Sequence, residues 1–322
     1  MPNLTGRIDV HHHALPAPYV KALANSGKPQ LAGVDPINWD VETDLAVMDR
    51  NGIQTAILSV TAPGTTFVEG EAAIRLARET NEVFARLRND HPKCYGAFAL
   101  LPLPNVDAAI REIDYALDEL DLDGVGLLTN FSGVYLGDKA LEPVIRHIVD
   151  RETIAYVHPA IPASNDQPDF SLPPSLYEFT FDTTRAVANL LYSGTLDRYP
   201  ELKLVLSHAG GTLPALAKRL TYGTTIAAEL RPRQPKDVIG SLRRLYYDTA
   251  MSANPYTLAG LAALIDVDHI LFGSDYPYMP ESTTEETVAG VTEFFTVADR
   301  EKIERDNFRT LFPRLIERVT QA

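Results

Sequence analysis

Five residues of this chain are of types that bind divalent ions and move protons, and each closes a short apolar run: His11, His13, His158, His208 and Asp275. The run RIDVHHH reads as a strand. Side chains alternate faces along a strand, so His11 and His13 share one face and His12 points to the other, toward surrounding helices or solvent. Neutral imidazole is a favoured ligand for zinc and similar ions. An HxH pair alone says little, because any polar strand end can carry one. His158 ends TIAYVH, His208 ends LKLVLSH and Asp275 ends HILFGSD. Three imidazoles and a carboxylate with one open position make a catalytic metal site rather than a closed structural one. His208 is then either a further ligand or a base. The fourth run, DGVGLLTN, ends without a Lys, Glu or Cys that could bridge two metals. One divalent ion per chain is therefore expected, zinc before manganese. His91 before Pro92, His147 inside a helical pattern and His269 at the start of its run read as structural or solvated.

The elements that must position these residues alternate. Apolar runs at 7–13, 53–60, 94–101, 123–129, 153–158, 202–208, 243–249 and 269–275 read as strands. Segments with a helical period lie between them, at 41–52, 71–90, 106–120, 138–152 and 183–200. Near-continuous apolar strands alternating with helices imply a parallel sheet covered on both faces. Eight such units imply an α/β chain closed as a (β/α)8 TIM barrel, whose strand tips converge at one mouth. No linker or repeat divides the chain, so 1–322 is expected to be a single barrel domain. Two stretches exceed ordinary connections, 14–40 and the Pro-rich 159–175. The first is read as a loop insertion after strand one that covers the pocket.

Bulk properties exclude other classes. A net charge of −14 argues against a nucleic-acid partner. No stretch approaches a membrane span. The one cysteine, Cys94, lies in CYGAFALL and reads as a buried strand residue. A chain with no disulfide and no signal-like apolar start is expected to be cytoplasmic.

The motifs IDVHHHALP, YVHPAIP, LSHAGGTLP and FGSDYPY resemble the amidohydrolase superfamily, in the branch of aminocarboxymuconate-semialdehyde decarboxylase. SVTAPG, FTFDTTRAVANLLYSG and YYDTA are similar to the subgroup that contains 6-methylsalicylate decarboxylase. The resemblance implies that His11, His13, His158 and Asp275 hold the metal. It implies that His208 serves as base or proton shuttle where it is not a ligand, and that Asp275 can also pass a proton. Arg219, eleven residues after His208, corresponds to an arginine that reaches across a dimer interface to the substrate carboxylate. A homodimer or higher homo-oligomer is implied. The parent decarboxylase has a substrate arginine near its second strand. No arginine lies in 53–70 here, so carboxylate recognition must differ.

Arginine offers a planar bidentate match to a carboxylate, which makes Arg185 in DTTRA a second candidate beside Arg219. Asp248 is placed to orient a ligand imidazole, and Trp39 and Phe181 to line an aromatic pocket or pack in the core. The expected reaction is non-oxidative decarboxylation of a small carboxylic acid, 2-hydroxybenzoate-like or a related unsaturated acid, by a carboxy-lyase. His208 or Asp275 would supply the proton. The alternative on the same site is hydrolysis of a lactone or similar carbonyl substrate. A non-enzymatic metal-binding protein is the third reading, and the open position of the site speaks against it.

Overall fold

The computed structural model describes residues 6–27, 34–162 and 171–321. The apolar runs become parallel strands β1 (Arg7–His13), β2 (Ile53–Ser59), β3 (Tyr95–Ala99) and β4 (Gly124–Leu128). A small antiparallel hairpin, β5 (Asn130–Phe131) and β6 (Val134–Tyr135), follows. Then come β7 (Ile154–His158), β8 (Lys203–Leu206), β9 (Tyr246–Asp248) and β10 (Ile270–Leu271). The eight parallel strands pair in the order β1-β2-β3-β4-β7-β8-β9-β10. The sheet curls until its ends meet. Val10 N donates to Phe272 O (3.0 Å), His13 N to Tyr276 O (2.7 Å) and Asp275 N to His11 O (2.9 Å). This is the expected (β/α)8 barrel.

Alternation along the strands sorts the apolar side chains into two layers. Ile8, Val10, Ile57, Phe98, Ile154, Tyr156, Val205 and Leu271 pack together with Phe308, Leu311, Phe312, Leu315 and Val319. The C-terminal helix Pro313–Gln321 thereby plugs one end of the barrel. Ala56, Leu58, Ala97, Val125, Leu127, Val157, Leu204 and Leu206 pack instead against the helices. Those include α2 (Val41–Arg50), α3 (Gly70–Asp90), α4 (Val106–Asp118), α5 (Glu142–Asp150), α6 (Glu178–Tyr192), α7 (Thr195–Arg198) and α8 (Leu213–Leu220), while α1 (Ala17–Asn25) packs through Tyr19 and Leu23 in a separate cluster with Leu76 and Leu100. Each of the leucines and valines among these strand residues, fully buried, contributes on the order of 1.5–3 kcal/mol. Helix starts are set locally. Asp40 accepts from Thr43 N (2.8 Å) at α2, and Asn105 accepts from Ala108 N (3.1 Å) at α4, satisfying N–H groups that have no partner within the helix.

The stretch 14–40, expected as a loop, carries helix α1, and its residues 28–33 lie outside the described set. Of 159–175, residues 163–170 lie outside it too. Cys94 is half-buried just before β3, not within the strand. β10 is only two residues long, so Asp275 lies past its end, as His208 lies past β8. Among the described residues no helix is long and apolar enough to cross a membrane.

Candidate metal centre

β1 departs from simple alternation. Asp9 pairs with Ala56 while His12 pairs with Leu58, so β1 has one residue more than β2 over this stretch. This is a β-bulge. Val10 packs in the inner cluster, and His11 beside it also faces inward, toward His158 and His208. His13 follows on the same side, with its ring centroid 5.0 Å from that of His158. Asp9 and His12 share the outer side, where Asp9 Oδ2 lies 3.0 Å from His12 Nδ1. A bulge leaves a backbone N–H without its ladder partner. Here His11 N donates to Asp9 Oδ1 (3.0 Å). The same carboxylate accepts from Ser274 N (3.1 Å) and Ser274 Oγ (2.6 Å), which ties β1 to the segment before Asp275.

On the inner side the ring nitrogens are oriented by their other ends. His11 Nδ1 lies 2.8 Å from Asp248 Oδ2, His13 Nδ1 2.9 Å from Ser59 Oγ, and His158 Nδ1 2.9 Å from the Pro159 carbonyl. Donation from each Nδ1 leaves each Nε2 as a lone pair, the arrangement of metal-ligating histidines. His11 Nε2 and His13 Nε2 stand 3.0 Å apart. Asp275 Oδ1 is 3.1 Å from the first and 3.2 Å from the second. Ligand atoms of His11, His13, His158 and Asp275 all lie within 4.8 Å of one another, and all four residues are buried. Donor atoms that converge so closely around an anionic oxygen repel unless positive charge, a proton or a metal ion, stands between them. The donor set therefore fits one divalent ion, with distances short enough for bonds of about 2.0–2.2 Å.

Electrostatics point the same way. Burial opposes a charge on His11, yet Asp275 and Asp248 push its pKa up to about 10, so positive charge is drawn to this point and a bound metal ion would take the place of that proton. Burial and the neighbouring His13, His11 and His208 hold His158 well below the usual imidazole range. Burial resists ionisation of Asp275, but His11, His13 and His208 keep its carboxyl well below the usual carboxylate range. The cluster thus combines an anion with an imidazole held neutral, as a metal requires.

His208 is placed differently. Its Nε2 lies 3.2 Å from Asp275 Oδ2, the oxygen turned away from His11 and His13, and its buried Nδ1 has no partner. The carboxylate accepts, so Nε2 carries a proton toward Asp275, the reverse of the three ligand imidazoles, whose Nε2 atoms face the cluster as acceptors. His208 and Asp275 are also non-glycine residues with φ of 54° and 65°, a strain of about 1–3 kcal/mol each that clusters at functional sites. Gly273 makes room for the arrangement, since a Cβ there would stand 2.8 Å from His11 Cβ and 3.1 Å from Asp248 Cβ.

The two arginines stay outside the cluster. Arg185 is exposed and pairs with Glu178 (3.2 Å) and Asp182 (3.6 Å) on its own helix. Arg219 is exposed on α8 and pairs with no carboxylate among the described residues. Trp39 donates to Asp44 (3.1 Å), and Phe181 packs on Tyr177 at the surface. Among the rings that reach the site are Phe179, 5.6 Å from His158, Tyr278, 5.3 Å from His13, and Tyr156, 5.3 Å from His11. Tyr278 belongs to FGSDYPY and Phe179 to FTFDTTRA, but an aromatic in a motif carries no sign of which way it points. His147 pairs with Asp114 (2.8 Å) and His269 lies 3.1 Å from the Leu245 carbonyl, both away from the cluster.

Comparison with known proteins adds a lineage. The amidohydrolase family profile matches residues 8–314. A decarboxylase of Aspergillus niger is 37% identical over 96% of this chain and 88% of its own length. The 6-methylsalicylic acid decarboxylase of Aspergillus aculeatus is 37% identical over 96% of both chains. The crystal structure of 2,6-dihydroxybenzoate decarboxylase from Rhizobium superposes with a TM-score of 0.78 at 26% identity, covering 97% of this chain and 99% of that one.

Proposed function

The chain belongs to the amidohydrolase family, and we propose that it is a metal-dependent, non-oxidative decarboxylase of 2-hydroxybenzoate-type aromatic acids. The observation that carries this reading is a cation-demanding cluster beside an imidazole free to carry a proton, His208, with Nε2 3.2 Å from Asp275 and Nδ1 unpartnered. The names of the relatives supply the substrate class.

His11, His13, His158 and Asp275 would hold the ion, zinc before manganese. When bound, it supplies Lewis-acid polarisation of the substrate oxygens and a template for orientation. His208, through its contact with Asp275, holds the proton and delivers it to the ring carbon that bears the carboxylate. The C–H bond forms, the bond from that carbon to the carboxylate breaks, and its electron pair restores the aromatic ring. One proton is taken up and one carbon dioxide leaves. Phe179 and Tyr278 wall the site beside His158 and His13 and limit the entry of water.

Residues 1–322 are read as one barrel domain of a cytoplasmic homodimer or higher homo-oligomer. Arg219, exposed and without a carboxylate partner among the described residues, would meet the substrate carboxylate of a neighbouring subunit. Arg185 is the second candidate for that contact. The test combines metal analysis of the purified protein with carbon dioxide release from salicylate-type acids. One ion per chain and release from a 2-hydroxybenzoate support the reading. One ion with turnover of lactones and no release replaces it by a hydrolase.

A further inference from the structure

The three ligand imidazoles are held from behind by unlike partners. His11 has the Asp248 carboxylate and His13 the Ser59 hydroxyl, both side chains of barrel strands. His158 has the Pro159 carbonyl, 2.9 Å from its Nδ1. Pro159 lies past the end of β7, where the regular pairing of the sheet has ended. Thr61 Oγ1 stands 3.3 Å from both ring nitrogens of His158 and so selects neither. Whatever aims the Pro159 carbonyl therefore sets which nitrogen of His158 faces the metal.

That carbonyl shares one planar peptide group with the N–H of Ala160. Ala160 N donates to Thr129 Oγ1 (2.9 Å), and Thr129 N donates to His158 O (3.0 Å), so Thr129 grips the chain on both sides of Pro159. A hydroxyl accepts in a fixed direction when its own hydrogen is committed. Thr129 Oγ1 donates to Oδ2 of Asp182, a fully buried side chain of α6. Asn130 Nδ2 reaches the same oxygen (2.9 Å) and also the Ile161 carbonyl (3.3 Å). Oδ1 accepts from the Tyr135 hydroxyl, which burial and Asp182 hold above the usual phenol range, so that it stays a donor. Arg185 stands 3.6 Å from Oδ1 at the surface. Asp182 thus gathers the end of β4, the hairpin of β5 and β6, and the first residues after His158. Phe179, three residues earlier on α6 and so on the same face, stands 5.6 Å from the His158 ring.

From this we propose that Asp182 is a positioning residue of the metal centre. Through the Thr129 hydroxyl it fixes the Pro159–Ala160 peptide. That peptide keeps the Nδ1 proton of His158 on the carbonyl and leaves Nε2 turned to the ion. Asp248 does the same for His11 by direct contact; Asp182 does it across two intervening groups. The same carboxylate ties α6 to this unit, so the ligand and the Phe179 ring beside it keep one spacing. The proposal rests on the ligand set above, and on His158 in particular, not on the identity of the substrate.

The experiment is chelator competition for zinc on the folded protein, with Tm measured beside it. Thr129→Val keeps the shape of the side chain and removes the link, and zinc affinity should fall by about 10- to 100-fold. Thr129→Ser keeps the hydroxyl and should bind as the native chain does. Asp182→Asn should weaken binding in the same range. Combined with Thr129→Val it should add little to either change alone, because the two act in series. Native affinity in Thr129→Val and Asp182→Asn, with only Tm lowered, overturns the proposal and makes the cluster a structural fastening. A Thr129→Ser variant as weak as Thr129→Val overturns it too, since the hydroxyl is then not the link. Should Asp182→Asn fail to fold, the two Thr129 variants decide alone. His158→Ala keeps the readings apart. If it retains zinc, the ligand set fails. If it loses zinc while Thr129→Val binds as the native chain does, only the role of Asp182 fails.

Discussion

His11 and His12 are chain neighbours, both fully buried, and each stands between two carboxylates. His11 lies 2.8 Å from Asp248 and 3.1 Å from Asp275. His12 lies 3.0 Å from Asp9 and 2.9 Å from Asp44. Their surroundings differ in the balance of donors and acceptors. On the outer side the balance closes. Both ring nitrogens of His12 can donate, and Asp44 also takes the Tyr95 hydroxyl (2.6 Å) and the Trp39 indole N–H (3.1 Å). On the inner side, the nitrogens of His13 and His158 join that of His11 around an anionic oxygen, and the proton that Asp275 and Asp248 draw onto His11 stands where a metal ion would displace it. An aspartate-flanked histidine is complete on one face of β1 and demands a cation on the other. The residue types do not decide this; the supply of protons across the strand does.

The comparison can be broken first at the inner face. His158→Ala should lose the ion and about 10³-fold of activity while circular dichroism and elution volume stay those of a folded barrel. Retained metal stoichiometry would remove His158 from the ligand set. One contact further out, Asp248→Asn should weaken metal binding by about 10- to 100-fold, read by competition with a chelator. An unchanged affinity would mean that the 2.8 Å contact with His11 does not orient the ligand.

The outer face should fail differently. His12→Phe leaves Asp9 and Asp44 buried without their imidazole, and a loss of about 3–5 kcal/mol of stability is expected, with metal affinity in the folded fraction largely kept. The pH dependence sharpens this. Burial opposes the charge on His12, but Asp44 and Asp9 push its pKa up to about 10. A folded pKa above the unfolded value gives stability that is full below about 6.5 and is lost as pH rises through about 10. Urea unfolding at pH 7 and at pH 10 should therefore show the gap between the native chain and His12→Phe narrowing at the higher pH. A gap that does not narrow would mean that His12 is held neutral. Smallest of all, Arg185→Ala removes an exposed helix pair, and less than about 1 kcal/mol should be lost. A rise in KM without a change in stability would instead make Arg185 a substrate contact.

Much of the site was legible because its signals are local. His11 and His13 close one apolar run and His158 another, and Asp275 and His208 could be placed at the mouth from HILFGSD and LKLVLSH. Alternation also gave the right faces for His11, His12 and His13. It gives the wrong ones for Asp9 and Val10, because the bulge depends on pairing with β2, which no local pattern records. The same limit hid the hairpin Asn130–Tyr135 and the approach of Phe179 and Tyr278. The α1 segment was read as a loop because APYVKALAN is short and follows a Pro-rich start. The two arginines show the opposite case. Their spacing was readable, but what lies opposite an exposed guanidinium belongs to a surface beyond one chain.

The hydrogen bonds that join β1 to β10 also set an order of events during folding. His11 and His13 come from the first strand, and their carboxylate partner Asp275 arrives after seven more strands have been threaded. Contacts so distant along the chain are slow to form. Until they form, the HxH pair is a loose bidentate chelator with no preference for geometry. Barrel closure and ion selection are then a single step, and a chain stalled before that step would carry whichever imidazole-binding metal is most abundant rather than the one its finished mouth is shaped to hold.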